Sequence, residues 1–265
     1  MRAAVPVQWA VALGIAITGV LGRAPVPVAA QDAHLERAVA PADESIRRVV
    51  VHAPGASLTV VGHDEASVIA EARTGTDPGP AGLGLTAVRA GDRTIVETPL
   101  APVGTSLVVR VPRRVDLELR GSNGGPFTVV DVAGGIEVEN SNAGVQLVDV
   151  VGPVVAATSN GPIEVRFAGV PPDRPMSFLT SNAPIRIAMP DGVDADLLLQ
   201  TDTGRIRSDW ALEQVEGAAD FRIGPPPEIP GAPRPGRVVR ARLGEGGALW
   251  RLWTDNADLV LERVR

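Results

Sequence analysis

The 265-residue chain has no cysteine, no lysine and no tyrosine, and only three histidines. Without cysteine there is no disulfide scaffold, no thiolate metal site, no thiol nucleophile and no acceptor for a lipid anchor. Without lysine and tyrosine, Schiff-base chemistry and two common acid–base side chains are excluded. Aromatic residues make up 3% of the chain, so stacking platforms for bases or sugars are scarce. Every basic residue is arginine, and the formal net charge is −6. An acidic surface repels nucleic acid and anionic lipid, so neither is an expected partner.

The one long apolar run is at the start. Arg2 is a minimal charged opening, Val5 to Val20 is an apolar stretch, and Val28-Ala29-Ala30 places small residues where a signal peptidase cuts. Residues 1–30 therefore read as a signal peptide cleaved before Gln31. The alternative is a retained anchor, but the apolar stretch is short of the roughly 20 residues a span needs. No stable span is expected after cleavage. The chain is expected to be exported, to the periplasm, the cell surface or the medium. Removing 1–30 takes two of the 25 arginines and none of the 31 acids, so the remainder carries −8.

What is present is a repeat. Ser122-Asn123-Gly124, Ser141-Asn142-Ala143, Ser159-Asn160-Gly161 and Ser181-Asn182-Ala183 are each followed by alternating aliphatic residues. Five and three places before the marker serine stand two apolar columns: Leu117, Ile136, Val154, Met176, then Leu119, Val138, Ala156, Phe178. After it come Phe127, Val145, Ile163, Ile185, then Val129, Leu147, Val165, Ile187. A spacing of two within each segment is the alternation of a strand. From Phe127 to Val145 to Ile163 the period is 18 and 18, and it stretches to 22 at Ile185 across Ala168–Pro175. Repeated short strands of fixed period wind coil on coil, each coil covering the last one's apolar edge. The fold class is therefore all-β, a parallel β-helix or β-solenoid with a less regular N-terminal strand region.

The expected organisation is a single domain over 45–265. Irregular strands occupy 45–111 and regular coils 115–210. A Pro-rich insertion covers 211–247, where Gly224–Arg237 alone holds six prolines and three glycines. A closing coil spans 248–264, with Trp250, Leu252, Asp255-Asn256-Ala257, Leu259 and Leu261 repeating the pattern as a late coil. Asn123, Asn142, Asn160 and Asn182 are expected at the corners, because Asn tolerates the left-handed backbone of a tight corner. Strands about 4.8 Å apart would let these side chains bond from coil to coil as a ladder. The outward column Thr128, Gln146, Glu164, Arg186, Arg207 fits the same geometry, with Glu164 beside Arg186.

The pattern resembles the bacterial putative-adhesin family of β-strand-repeat proteins, a domain of unknown function. The resembling parts are Leu58-Thr59-Val60-Val61-Gly62-His63-Asp64, the coils from 122 to 187, and Leu243-Gly244-Glu245-Gly246-Gly247 followed by Leu252–Leu259. The likeness spans about residues 45 to 264. It implies a right-handed solenoid facing the envelope, and it supplies no catalytic residue. The chain departs from the family in carrying Asn where many relatives have Gly, and in its long Pro-rich insertion.

Candidate sites are few. Asp131 and Asp149 stand in equivalent places on adjacent coils, and two close carboxylates can hold a cation or tune a pKa. The plainer account is that Asp starts the turn there, since Phe167 and Met189 break the column. Trp253 falls on an outward phase and is the candidate partner anchor, with Trp210 beside it in the candidate set; the plainer account is that Trp253 packs under 211–247. Asp202, Asp209, Asp255 and Asp258 lie near the late coils without the spacing of a calcium loop. No metal ligand set is expected, because His34, His52 and His63 are dispersed. There is no nucleophile elbow, no phosphate-cradling loop and no cofactor motif. The expected function is a non-catalytic, adhesin-like envelope or surface module whose partner is an envelope protein or glycan. Alternatives are a polysaccharide-acting β-helix enzyme and a purely structural spacer.

Overall fold

The computed structural model describes residues 34–41, 46–79, 82–99, 101–215 and 237–264. The leader 1–30 and most of the Pro-rich stretch Gly224–Arg237 lie outside the described residues. What is described is all-β, arranged as two long mixed sheets of ten and eleven strands. No described helix is long and apolar enough to cross a membrane.

Between residues 116 and 189 the chain alternates between the sheets. Asp116–Gly121, Ile136–Asn140, Val154–Thr158 and Met176–Thr180 belong to the eleven-stranded sheet. Phe127–Val130, Val145–Val151, Ile163–Gly169 and Ile185–Met189 belong to the ten-stranded one. Each strand pairs in parallel with its equivalents one repeat away, Val145 opposite both Phe127 and Ile163, and Ile136 opposite both Leu117 and Val154. The four apolar columns are the inward faces of these strands. Phe127, Ile163, Phe178 and Ile187 are all at most 1% exposed, and both sheets contribute to one continuous core. Alternation places the polar residues outside, giving patterns such as buried–exposed–buried–exposed–buried for Ile136–Asn140.

The closing coil is the last in the chain but not the last in space. Leu249–Thr254 pairs with Met176–Thr180 on one side and Ala195–Thr201 on the other. Leu259–Arg263 is likewise flanked by Ile185–Met189 and Ile206–Ser208. The 195–208 coil is thus laid down first and the chain returns to fill the gap behind it. Val260 consequently interrupts the outward column between Arg186 and Arg207.

The N-terminal region follows the same scheme. Arg48–His52 and Ser57–His63 lie between the 93–112 strands and the 116–130 coil. Antiparallel strands finish each end. His34–Pro41 and Ser67–Thr74 extend the ten-stranded sheet, and Thr86–Ala90 edges the eleven-stranded one. At the far end Arg237–Leu243 and Glu213–Gln214, the described ends of the insertion, cap the eleven-stranded sheet.

The corners are closed by two sets of side-chain bonds. Outside, the asparagines form a ladder: Asn142 Nδ2 donates to Asn123 Oδ1 at 2.8 Å, Asn160 to Asn142 at 3.0 Å, Asn182 to Asn160 at 2.8 Å and Asn256 to Asn182 at 2.8 Å. Inside, the residue before the marker position reaches a corner carbonyl in every coil but the first, where it is Gly121. Thr158 Oγ1 donates to the Ala143 carbonyl, Thr180 to Gly161 and Thr254 to Ala183, each at 3.0 Å, and Thr201 donates to Ala257 at 2.9 Å. Asn140 Nδ2 does the same to Gly125 at 3.2 Å. Buried carbonyls must find a donor, and the marker turn leaves these without a strand partner.

The expected left-handed asparagine corner holds only at Asn123, with φ of 56°. The other three are in the same ladder with ordinary backbone. The other left-handed residues of the regular coils, glycine aside, are Asp131 (φ 60°) and Asp149 (φ 54°), at the opposite turn, and Asp173 (φ 54°), in the loop before Met176. Short polar side chains tolerate that region better than most. Gly161 is required for a different reason: a Cβ there would come within 2.2 Å of the Ala143 backbone.

Candidate interaction surface

Leu249–Thr254 alternates outward and inward along LWRLWT. Trp250 points in, is 1% exposed, and lies with its ring centroid 6.2 Å from that of Phe167. Trp253, three residues on, has the opposite phase and stands on the outer face of the eleven-stranded sheet, 38% exposed. Its register neighbours are Leu179 on one side and Gln200 on the other. Ala157 continues the row beyond Leu179, and Val238 beyond Gln200. Val155, Leu198 and Leu249 add to the same face, Val155 at 45% and Leu249 at 46% exposure. The Trp253 Nε1–H donates to Asp255 Oδ1 at 2.8 Å. Its one polar group is therefore satisfied within its own corner, and what it offers outward is ring carbon. Trp253 does not pack beneath the described parts of 211–247; Arg237–Leu243 lies two strands away in the same sheet.

The other tryptophan candidate is placed elsewhere. Trp210 follows the last strand of the ten-stranded sheet and is half-buried. Its Nε1–H donates to Asp191 Oδ1 at 3.2 Å, and the Arg263 guanidinium lies 5.6 Å from its ring centroid. Arg263 also pairs with Asp191 at 3.1 Å. Trp210 is thus held in a local cluster and belongs to a different sheet from Trp253.

Asp131 and Asp149 occupy adjacent corners, but each faces an arginine. Arg113 pairs with Asp131 and with Asp64, the latter at 2.7 Å, and Arg166 pairs with Asp149 at 2.7 Å. A guanidinium in place offsets the carboxylate charge that a cation would need. Among the described residues no group of three or more His, Asp or Glu converges. The histidines are bonded separately: His34 to Glu36 at 3.4 Å, His52 to Glu97 at 3.1 Å, and His63 to the Ser67 carbonyl at 3.0 Å.

Among the described residues two carboxylates are shifted, both near the N-terminal end. Burial pushes Glu36 up, but N–H donation from Leu85 and Leu83, with His34 alongside, holds it below the usual carboxylate range. Asp64 is lowered by its hydrogen bond to Arg113 and by that residue's charge. On the outer face of the ten-stranded sheet lies an open groove of about 420 Å³, lined by Gln146, Glu164, Arg166, Arg186 and Glu262 among others. Glu164 and Arg186 are register partners there.

Reading the sequence alone missed the inward threonines, the fifth ladder rung Asn256 and the bridging Arg113. A signal for the first existed: Thr or Asn precedes the marker in five coils, at a position that alternation makes inward.

Fold and surface together define an all-β chain of two mixed sheets sharing one core, with an aromatic and aliphatic patch exposed on one outer face. No family model and no curated protein matches the chain. Among solved structures it is similar to one described as a putative cell adhesion protein from Clostridium sporogenes. The TM-score is 0.44 at 5% identity, covering 88% of this chain and 100% of that one. It is also similar to one described as a putative adhesin from Bacteroides fragilis, with a TM-score of 0.37 at 9% identity, covering 87% of this chain and 97% of that one. Likeness this distant leaves the function to the chain's own residues.

Proposed function

We propose that the protein is an exported, right-handed parallel β-solenoid acting as a non-catalytic, adhesin-like interaction module, and that it binds through the outer face around Trp253. The observation that carries this reading is the patch itself. Val155, Leu179, Leu198, Leu249 and Trp253 are carried side by side on rigid strands, and exposed apolar clusters on a folded surface mark interaction sites. Export is supported by the Val28-Ala29-Ala30 pattern. The absence of catalysis is supported by the missing thiol, amine and phenol side chains, and by arginines seated on Asp131 and Asp149.

Retention of the purified protein on envelope fragments tests the module. Trp253→Ser should lower retention by about tenfold, as for a central aromatic anchor, while Asp131→Asn and Asp149→Asn leave it unchanged. Turnover of a polysaccharide that either Asp substitution abolishes would replace this reading with the enzyme. Mass spectrometry of the exported chain should find Gln31 as its first residue; a retained Met1 would remove the export step.

A further inference from the structure

The Trp253 face carries charge as well as apolar surface, and the charge is arranged by strand. Across the eleven-stranded sheet the outward residues of one row run Glu118, Glu137, Val155, Ser177, Arg251, Leu198, Arg240. The next row runs Arg120, Glu139, Ala157, Leu179, Trp253, Gln200, Val238. Glu137 and Glu139 therefore flank the patch on one side and Arg240 on the other, with Arg251 inside it on the Trp253 strand. Farther out on each flank the charges are already used: Glu118 pairs with Arg48 at 3.4 Å and Arg120 at 3.1 Å, and Arg242 pairs with Asp196 at 3.8 Å. Among the described residues Glu137, Glu139, Arg240 and Arg251 form no such pair within the chain.

We infer that a second copy of this chain occupies the face, packed sheet against sheet about a two-fold axis parallel to the strands and lying between Met176–Thr180 and Leu249–Thr254. This rests on reading that face as an interaction surface and names its partner. The rotation reverses strand order and keeps each row. It sets Leu179 against the second copy's Trp253, Val155 against its Leu198, and Glu137 against its Arg240, and every pair occurs twice. A two-fold interface must be self-complementary in this way. The apolar pairs supply the association, and the charge pairs fix the register and exclude a shifted or reversed packing.

The paired region is six strands wide, about 29 Å, by about 17 Å of strand. Its footprint of about 500 Å² per copy is at the small end of specific interfaces, the size of a reversible contact rather than of an obligate unit. The Trp253 ring needs no new hydrogen-bond partner in this packing, because Asp255 already holds its N–H.

Sedimentation velocity of the protein expressed from the full 265-residue chain, from low to high micromolar concentration, tests this. A reversible dimer of twice the chain mass is expected. Trp253→Glu should weaken it by about tenfold or more, with an unchanged circular-dichroism spectrum confirming the fold. Glu137→Arg alone and Arg240→Glu alone should each weaken it, and the two combined should restore it. A chain monomeric throughout, a dimer indifferent to Trp253→Glu, or no restoration in the double substitution overturns the inference. A monomer still held by envelope fragments through Trp253 overturns self-pairing alone; a monomer that is not held overturns the interaction surface as well.

Discussion

The middle of the molecule and its two ends are built from the same strands but assembled in different orders. From 116 to 189 each coil rests on the one before it in sequence. At each end the stacking skips a place. The 48–63 coil lies inside the 93–112 strands, and the 249–263 coil lies inside 195–208. Parallel stacking dictates what a coil must cover, not when in the chain it is supplied. A simple stack would leave a terminal coil exposed and free to fray. Here the final stretch is enclosed on both sides, and antiparallel strands finish three of the four sheet edges, where unpaired backbone would otherwise invite further pairing.

The largest effect should come from removing the enclosed coil. Deleting 249–265 strips one of two partner strands from each of 176–180, 185–189 and 195–201 and the one partner of 206–208, and cooperative urea unfolding followed by circular dichroism should vanish. Deleting the outermost strand His34–Pro41 should leave a cooperative transition. If both truncations behave alike, the ends are ordinary stacks. Next, Ile163→Ala in the middle should cost about 2–5 kcal/mol by chemical denaturation, as for a fully buried aliphatic side chain in a packed core. A value within error of zero would refute the column register.

Thr158→Val should cost about 1–3 kcal/mol, because it strands the Ala143 carbonyl without a donor. Serine at the same place should recover much of that loss. The smallest effect lies on the outer ladder, where solvent can replace a lost rung. Asn160→Gly and Asn160→Val should differ little from each other, whereas Asn123→Val should cost more than Asn160→Val, because only Asn123 holds a positive φ that a β-branched side chain resists. Equal melting temperatures for Asn123→Val and Asn160→Val would mean that the corners share one backbone geometry.

The apolar columns were legible because strand alternation and an 18-residue period are local properties, and each residue's inward phase follows from them. The asparagine ladder was legible for the same reason. The place of the closing coil was not. Trp250 and Leu252 match the column equally well after Phe178 or after Leu199, so periodicity fixes their phase and leaves their neighbour open. Corner conformation was also out of reach: Asn142 and Asn123 stand in the same motif, yet the extra residue in Gly124-Gly125-Pro126 accompanies a left-handed turn at Asn123 alone. At the candidate surface the outward phase of Trp253 could be read directly. Its companions Leu198 and Val238 could not, because they arrive from strands whose order the sequence does not state.

The enclosed closing coil also sets a timetable. While the chain grows from its N-terminus, Met176–Thr180 has no lasting partner on its open side until residues 249–254 exist, and Asn182 waits 74 residues for Asn256. Contacts of such sequence separation slow folding, since the loop must close before any pairing rewards it. Strands 195–208 could in the meantime rest against 176–189 in the vacant place, in matching phase, and would have to leave before the last coil could enter. Refolding of the full chain from denaturant should therefore show a slow phase, and its completion should coincide with burial of Trp250 against Phe167.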